Sequence, residues 1–299
     1  MKHVLITGAR GFFGHALVSH FLENTDWILI CPTRFPKNPD RLVELGSSDR
    51  ILQEFDGPLD IIIHAAANPS TLDCIEHPVE AVDSNIGETL KMLELARKHP
   101  LEHFIFISST GVYGSDINGH EGVNCRATNM YAATKLAGEQ MCWAYMHSYG
   151  VPCTVARLSD VFGPRSQPER FPTKTIRLLL KNEKFILHGK NGVIGRRNWC
   201  SSVDAADMIL FILKGVAPGE TFNVSGMESL THLEFLQIIA KAMDVQFEYT
   251  IKEEGIVGRV LSQIVPPTKL YDIGWRPATP FVKHVKNFIN WTIANKNWC

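Results

Sequence analysis

Val4-Leu5-Ile6-Thr7 runs directly into Gly8-Ala9-Arg10-Gly11-Phe12-Phe13-Gly14, and an apolar-periodic stretch follows from Ala16 to Leu22. An apolar run, a glycine-rich turn and a helical period in that order predict strand, tight turn and helix. Such an opening commits the chain to a parallel sheet, because a strand followed at once by a helix must return by a crossover. Gly8 permits the tight turn, and Gly11 lets the backbone approach a pyrophosphate on the helix N-terminus. Gly14 lets the helix pack closely on the strand. The spacing is G-x-x-G-x-x-G, not G-x-G-x-x-G. A plain strand-to-helix turn would also use glycines, but this position, opening an alternating chain, favours a dinucleotide.

The alternation continues. Strands are predicted near 3–7, 27–31, 60–64, 103–108 and 153–157, and helices near 12–23, 40–54, 79–98 and 130–148. Nearly continuous apolar strands between helices imply an α/β fold, a Rossmann-type parallel sheet with helices on both faces. From Gly163 the pattern loosens, with Pro164, Pro168 and Pro172 punctuating loops before helices at Leu230–Met243 and Val282–Ala294. The expected organisation is a dinucleotide-binding domain over residues 1–163, to which some later segments return. Residues 164–299 would be mainly a small α/β substrate lobe over the carboxyl ends of the strands, where open sheets bind ligands. A chain of 299 residues with 45% apolar and 20% charged side chains can bury a core of that size.

A net charge of −1 argues against nucleic-acid or membrane-surface partners, while leaving room for a local basic pocket. The seven cysteines (31, 74, 125, 142, 153, 200 and 299) include no C-x-x-C pair, so neither a metal site nor a redox pair is expected. The N-terminus shows no signal-peptide pattern, and no apolar run is long enough to span a bilayer. A reduced, cytoplasmic protein is the expectation.

Tyr131-Ala-Ala-Thr-Lys135 carries the chemistry, with Ser109 upstream. A spacing of four on a helix puts phenol and ammonium on one face. A nearby cation stabilises phenolate, so a tyrosine with an ordinary pKa of about 10 could act as acid or base nearer neutrality. Alone, the spacing more often marks a surface pair; its company decides.

Further segments stand in order along the chain: Ile61-Ile62-Ile63-His64-Ala65-Ala66-Ala67, Asn85-Ile86-Gly87-Glu88-Thr89, Phe104 to Gly114, Arg157 to Pro164, and Arg197-Asn198-Trp199 with Asp204. With the glycine turn and Tyr131/Lys135, this set resembles the extended short-chain dehydrogenase/reductase family, in its nucleotide-sugar epimerase, dehydratase and ketoreductase branch. The resemblance implies hydride transfer with NAD(P), in which Tyr131 carries the hydroxyl proton. Lys135 would depress the pKa of Tyr131 and hold the nicotinamide ribose, and Ser109 would fix the reacting oxygen. Gly8, Arg10, Gly11, Phe12, Phe13, Gly14, Ala65, Ala66, Ala67 and Asn85 would line the cofactor, with Tyr131 and Lys135. A homodimer built on helices near 79–98 and 130–148 is also implied, although Leu90, Met92, Leu95, Met141 and Tyr145 could equally face the protein's own core. His64 reads as a structural turn residue, and Trp143 and Met146 as packing.

Departures from the family pattern narrow the reaction. After Ser109 the sugar 4,6-dehydratases carry Asp and Glu; here stand Thr110 and Gly111, which disfavours dehydration. Redox at one carbinol or ketone, usually C4, remains: epimerase, ketoreductase or dehydrogenase. The second strand ends in Ile28-Leu29-Ile30-Cys31-Pro32-Thr33-Arg34 without the acid that binds the ribose diol of NAD. Arg34 and Arg10 could face a 2′-phosphate, so NADP(H) is favoured over NAD(H). Arg165 and Arg197 are candidate partners for a substrate diphosphate, with Ser109 and Thr110 near the sugar. Asp160 occupies the place of the family's substrate-touching Asn, where its charge would repel a diphosphate unless paired, for instance with an arginine. A non-nucleotide carbonyl or hydroxyl compound is the alternative substrate. A cofactor-holding sensor is the third reading, disfavoured because Ser109, Tyr131 and Lys135 are all kept.

Overall fold

The computed structural model describes residues 1–32, 42–44, 55–115, 117–253 and 262–296, with Leu42–Glu44 and Ile117 as backbone. The strands are β1 (His3–Thr7), β2 (Ile28–Cys31), β3 (Leu42–Glu44), β4 (Ile61–His64), β5 (His103–Ser109), β6 (Ile117–Asn118), β7 (Cys153–Leu158), β8 (Asp160–Phe162), β9 (Phe185–His188), β10 (Arg196–Ser201), β11 (Thr221–Val224), β12 (Ser229–Thr231), β13 (Tyr249–Lys252) and β14 (Gln263–Ile264). Helices are α1 (Phe12–Asn24), α2 (Thr71–Glu76), α3 (Pro78–Val82), α4 (Glu88–Lys98), α5 (Met130–Tyr149), α6 (Phe171–Leu180), α7 (Ser202–Gly215), α8 (His232–Met243), α9 (Thr268–Asp272) and α10 (Phe281–Ala294).

Seven strands form one parallel sheet in the order β11-β7-β5-β4-β1-β2-β3. Alternate residues of each strand point to opposite faces, and both faces are apolar. Val4, Ile6, Ile61, Ile63, Ile105 and Ile107 pack under α1 and α7, with Leu17, Phe21, Ile209 and Ile212 above them. Leu5, Ile62, Phe104, Phe106 and Val155 turn the other way, onto Met92, Leu93 and Leu95 of α4 and Cys142 of α5. Met92 and Leu95 therefore belong to the protein's own core, while Leu90 is exposed. Each such aliphatic or aromatic burial stabilises by about 1.5–3 kcal/mol relative to exposure.

Residues 42–44 correct one expectation. They form a strand, parallel to β2 with Val43 opposite Ile30, where a helix over 40–54 was predicted. Backbone pairing with the sheet edge decides there over local helical pattern. The stretch predicted as one helix over 79–98 is α3, a wider π turn at Asp83–Gly87 and α4.

The second half returns to the sheet before it leaves it. Ser201 caps α7 by accepting from Asp204 N at 2.9 Å, and α7 leads to β11 on the sheet's outer edge. The lobe has its own core, centred on Trp199 stacked on Phe235 with ring centroids 4.5 Å apart and planes 7° from parallel. There β10 joins β12, β14 and β8, and β9 pairs β13. Thr231 and Glu234 form a reciprocal cap at the start of α8.

Candidate active site

The glycine turn packs as its sequence predicts. Gly8 has a φ of +69°, and a Cβ there would stand 2.8 Å from Ala66 N. A Cβ on Gly14 would lie 2.1 Å from the Gly8 carbonyl oxygen, so α1 approaches β1 as only glycine allows. Gly11 N donates to Gly8 O at 2.8 Å, and Gly11 begins α1 without a side-chain cap. The first N–H groups of a 13-residue helix thus lack a capping side chain, facing a turn walled by Ala65 and Ala66. That arrangement fits a pyrophosphate. Phe13 is buried, Phe12 half-buried, and Arg10 exposed at the tip of the turn. Arg34 lies outside the described residues.

A buried polar chain braces this wall. Thr89 donates to Asn85 O at 2.6 Å, so its oxygen accepts from His64 Nε2 at 3.1 Å. That leaves Nδ1 of His64 as acceptor for Thr7 Oγ1 at 2.7 Å, while Thr7 Oγ1 accepts from Ala66 N at 3.1 Å. Burial lowers the His64 pKa to about 3, so the ring is neutral and fixed in one tautomer. Asn85 completes the chain. Its Oδ1 accepts from Asn68 N, and its Nδ2 donates to Asn68 O and to Thr134 Oγ1. Both residues hold the loop after Ala65–Ala67 against α5.

At the carboxyl end of β5, Ser109 meets Tyr131 from the first turn of α5, which Asn129 caps by accepting from Ala132 N at 2.9 Å. The Ser109 hydroxyl acts on the Tyr131 phenol and favours its ionised form, and the Ser109 oxygen accepts from Gly111 N at 3.1 Å. Lys135 lies one turn on from Tyr131, but its ammonium donates to Ile107 O at 2.8 Å and sits 5.0 Å over the Phe106 ring. Burial brings its pKa down to about 8. The expected depression of the Tyr131 pKa is not found. Burial pushes that phenol above its ordinary value, with Asp160 adding to the rise; Arg170 and Ser109 oppose it.

Arg170 escaped the sequence reading. Its guanidinium lies 5.8 Å from the centroid of the Phe12 ring and acts on the Tyr131 phenol, so one arginine reaches from the glycine turn to that phenol. Only its place in the Arg165 loop hinted at this. Glu139 was missed too, although it extends the spacing of Tyr131 and Lys135 by four. Its carboxylate takes Arg157 Nε at 3.0 Å and Nη2 at 2.7 Å, and Ser108 Oγ donates to it at 2.6 Å. This buried pair locks α5 to β5 and β7 beneath the site.

Two expected substrate residues are differently engaged. The Thr110 hydroxyl is buried and donates to Gln263 Oε1 at 2.9 Å, while Gln263 Nε2 donates to Thr110 O at 2.7 Å. That hydroxyl is committed to β14. Asp160 is paired as its charge requires, 3.2 Å from Nε of Arg197. Arg165 adopts a left-handed backbone (φ 67°), and its charge acts on His15 in the first turn of α1. Among the described residues, no cluster of His, Cys, Asp and Glu is placed to hold a metal ion. No described helix is long and apolar enough to cross a membrane.

Comparison with known proteins agrees with this geometry. The family model described as NAD dependent epimerase/dehydratase family matches residues 4–225. The dTDP-D-glucose 4,6-dehydratase of Bos taurus is 28% identical over 325 residues, covering 99% of this chain and 90% of that protein. The UDP-glucose 4-epimerase of Thermus thermophilus, solved with NAD, superposes with a TM-score of 0.83 at 24% identity, over 97% of this chain and 98% of the other. The UDP-glucuronic acid 4-epimerase of Bacillus cereus, solved with UDP-glucuronic acid and NAD, gives 0.87 at 21% identity, over 98% and 99%. These structures share the fold. Both hold NAD, so they lend the expected NADP(H) preference no support.

Proposed function

The chain belongs to the NAD dependent epimerase/dehydratase family, and from that premise we propose that it oxidises and reduces C4 of a nucleotide-activated sugar, with Tyr131 moving the proton. The observation that supports this most is the meeting of Ser109 and Tyr131 beside an arginine that also reaches Phe12 of the glycine turn. When bound, the nicotinamide dinucleotide supplies the acceptor and donor of hydride. The residues that would hold it are Gly8, Gly11 and Gly14, the backbone opening α1, and the Ala65–Ala67 wall. NAD is the form proposed, since solved relatives of this fold hold it.

This chain's own residues do the rest. The Tyr131 phenol takes the proton of a sugar hydroxyl or returns it to a ketone. Ser109, beside that phenol, fixes the reacting oxygen in the same place. Arg170 favours the phenolate and opposes in part the burial that keeps the phenol above its ordinary value. Arg197 is the proposed anchor for a substrate phosphate.

A second reading, 4,6-dehydration, is favoured by the curated dehydratase relatives. Against it stand the two positions after Ser109: Thr110 is buried on Gln263, and Gly111 has no side chain. Neither supplies the acid or base needed to remove water. Proton NMR of UDP- and dTDP-hexoses incubated with the protein and NAD separates the readings. A C4 epimer without net cofactor change supports epimerisation, and a new C6 methyl signal identifies a dehydratase. NADH formed in proportion to sugar consumed identifies a dehydrogenase, and NADH consumed when a 4-keto sugar is the substrate identifies a ketoreductase.

A further inference from the structure

We propose that Asp160 is an internal competitor for the anion site: its carboxylate engages Arg197, and a phosphate-bearing ligand binds by displacing it. The inference rests on the nucleotide-sugar reading and specifies how that site admits its charged part. Asp160 begins β8, just past the carboxyl end of β7, directly opposite Trp199 on the parallel strand β10. Arg197 lies two residues earlier on β10, and its Nε stands 3.2 Å from Asp160 Oδ2. The two partners are unequally covered, the arginine side chain 13% exposed and the carboxylate 45%. The cation is recessed and the anion stands outside it.

Three consequences follow from elementary electrostatics. An arriving phosphate meets a carboxylate first, and like charges at that range repel. A guanidinium already engaged by a carboxylate gives a second anion less net attraction, since the formal charges of the two cancel. The same carboxylate acts on the Tyr131 phenol, raising its pKa. Movement of Asp160 off Arg197 on binding would therefore couple phosphate capture to the electrostatics of the proton carrier. A ligand lacking phosphate leaves the pair intact.

The test is isothermal titration of the full chain with UDP, dTDP, GDP and CDP, using wild type, Asp160→Asn, Asp160→Ala and the double variant Asp160→Asn/Arg197→Met. Asparagine keeps the shape and removes the charge; alanine provides a second variant should the first fold poorly. The expected result is at least about 10-fold tighter diphosphate binding in the single variants, weakened more steeply by salt, and lost in the double variant. Wild type that binds a diphosphate as tightly as the single variants overturns the competitor role and leaves the nucleotide-sugar reading standing. A gain that survives loss of Arg197 also overturns the competitor role. Absence of binding by every protein at millimolar ligand overturns both.

Discussion

The Lys135 ammonium donates to the Ile107 carbonyl at 2.8 Å, two residues before Ser109 on the same strand. A cation is thereby pinned under the end of β5, with its pKa lowered to about 8 by burial. Lys135 is charged below that pH and neutral above it. Activity that needs the ammonium falls as pH rises through about 8. Lys135→Arg, charged throughout, should move this alkaline limb of kcat/KM upward by more than about one pH unit. An unmoved limb would assign it to another group.

Removal of the phenol tests the proton carrier. Tyr131→Phe should lower kcat by about 10²–10⁴-fold, with an unchanged circular dichroism spectrum. Ser109→Ala should cost about 10²-fold through loss of the bond that fixes the reacting oxygen. A phenylalanine variant within a few-fold of wild type would remove Tyr131 from the chemistry.

Glu139 and Arg157 bear on stability. Their side chains are 1% and 7% exposed, and Arg157→Met leaves a carboxylate buried opposite an apolar group. The expected loss is about 3–5 kcal/mol in urea unfolding. Glu139→Leu added to that variant should recover most of it, since no charge then remains to desolvate. An equal loss in both would trace the effect to packing.

His64 should show in acid. Its folded pKa, about 3, lies below the ordinary 6.5. Between those values the unfolded chain binds a proton that the folded chain does not, so stability falls as pH drops through this window. The slope attributable to His64 is at most about 1.4 kcal/mol per pH unit. His64→Gln should flatten the decline between pH 6 and 5 measured by urea unfolding; an unchanged slope would place the proton elsewhere.

The sheet was legible because it rests on local pattern, apolar runs alternating with helical periods after a glycine turn, whereas Ser109 was set beside Tyr131 by the family resemblance and not by any spacing. Met92 and Leu95 were visible as apolar helix positions, yet only their packing against Phe104 and Phe106 shows that they face the protein's own core. The bond of Thr110 could not be read because its partner, Gln263, stands 153 residues away. Arg170 was invisible for a similar reason. Its contact with Phe12 joins loops far apart in sequence, and no periodicity encodes such a meeting. The charge of Asp160 demanded a partner, but strand register chose Arg197.

The sheet's outer strand comes late. Residues 202–224 supply α7, which covers α1, and β11, which covers β7. During synthesis the nucleotide-binding half therefore waits, with the edge of β7 open and the apolar stripe of α1 uncovered, until residue 224 has left the ribosome. Nascent chains stalled before that point should be held by chaperones, and those released beyond it should become resistant to protease in a single step.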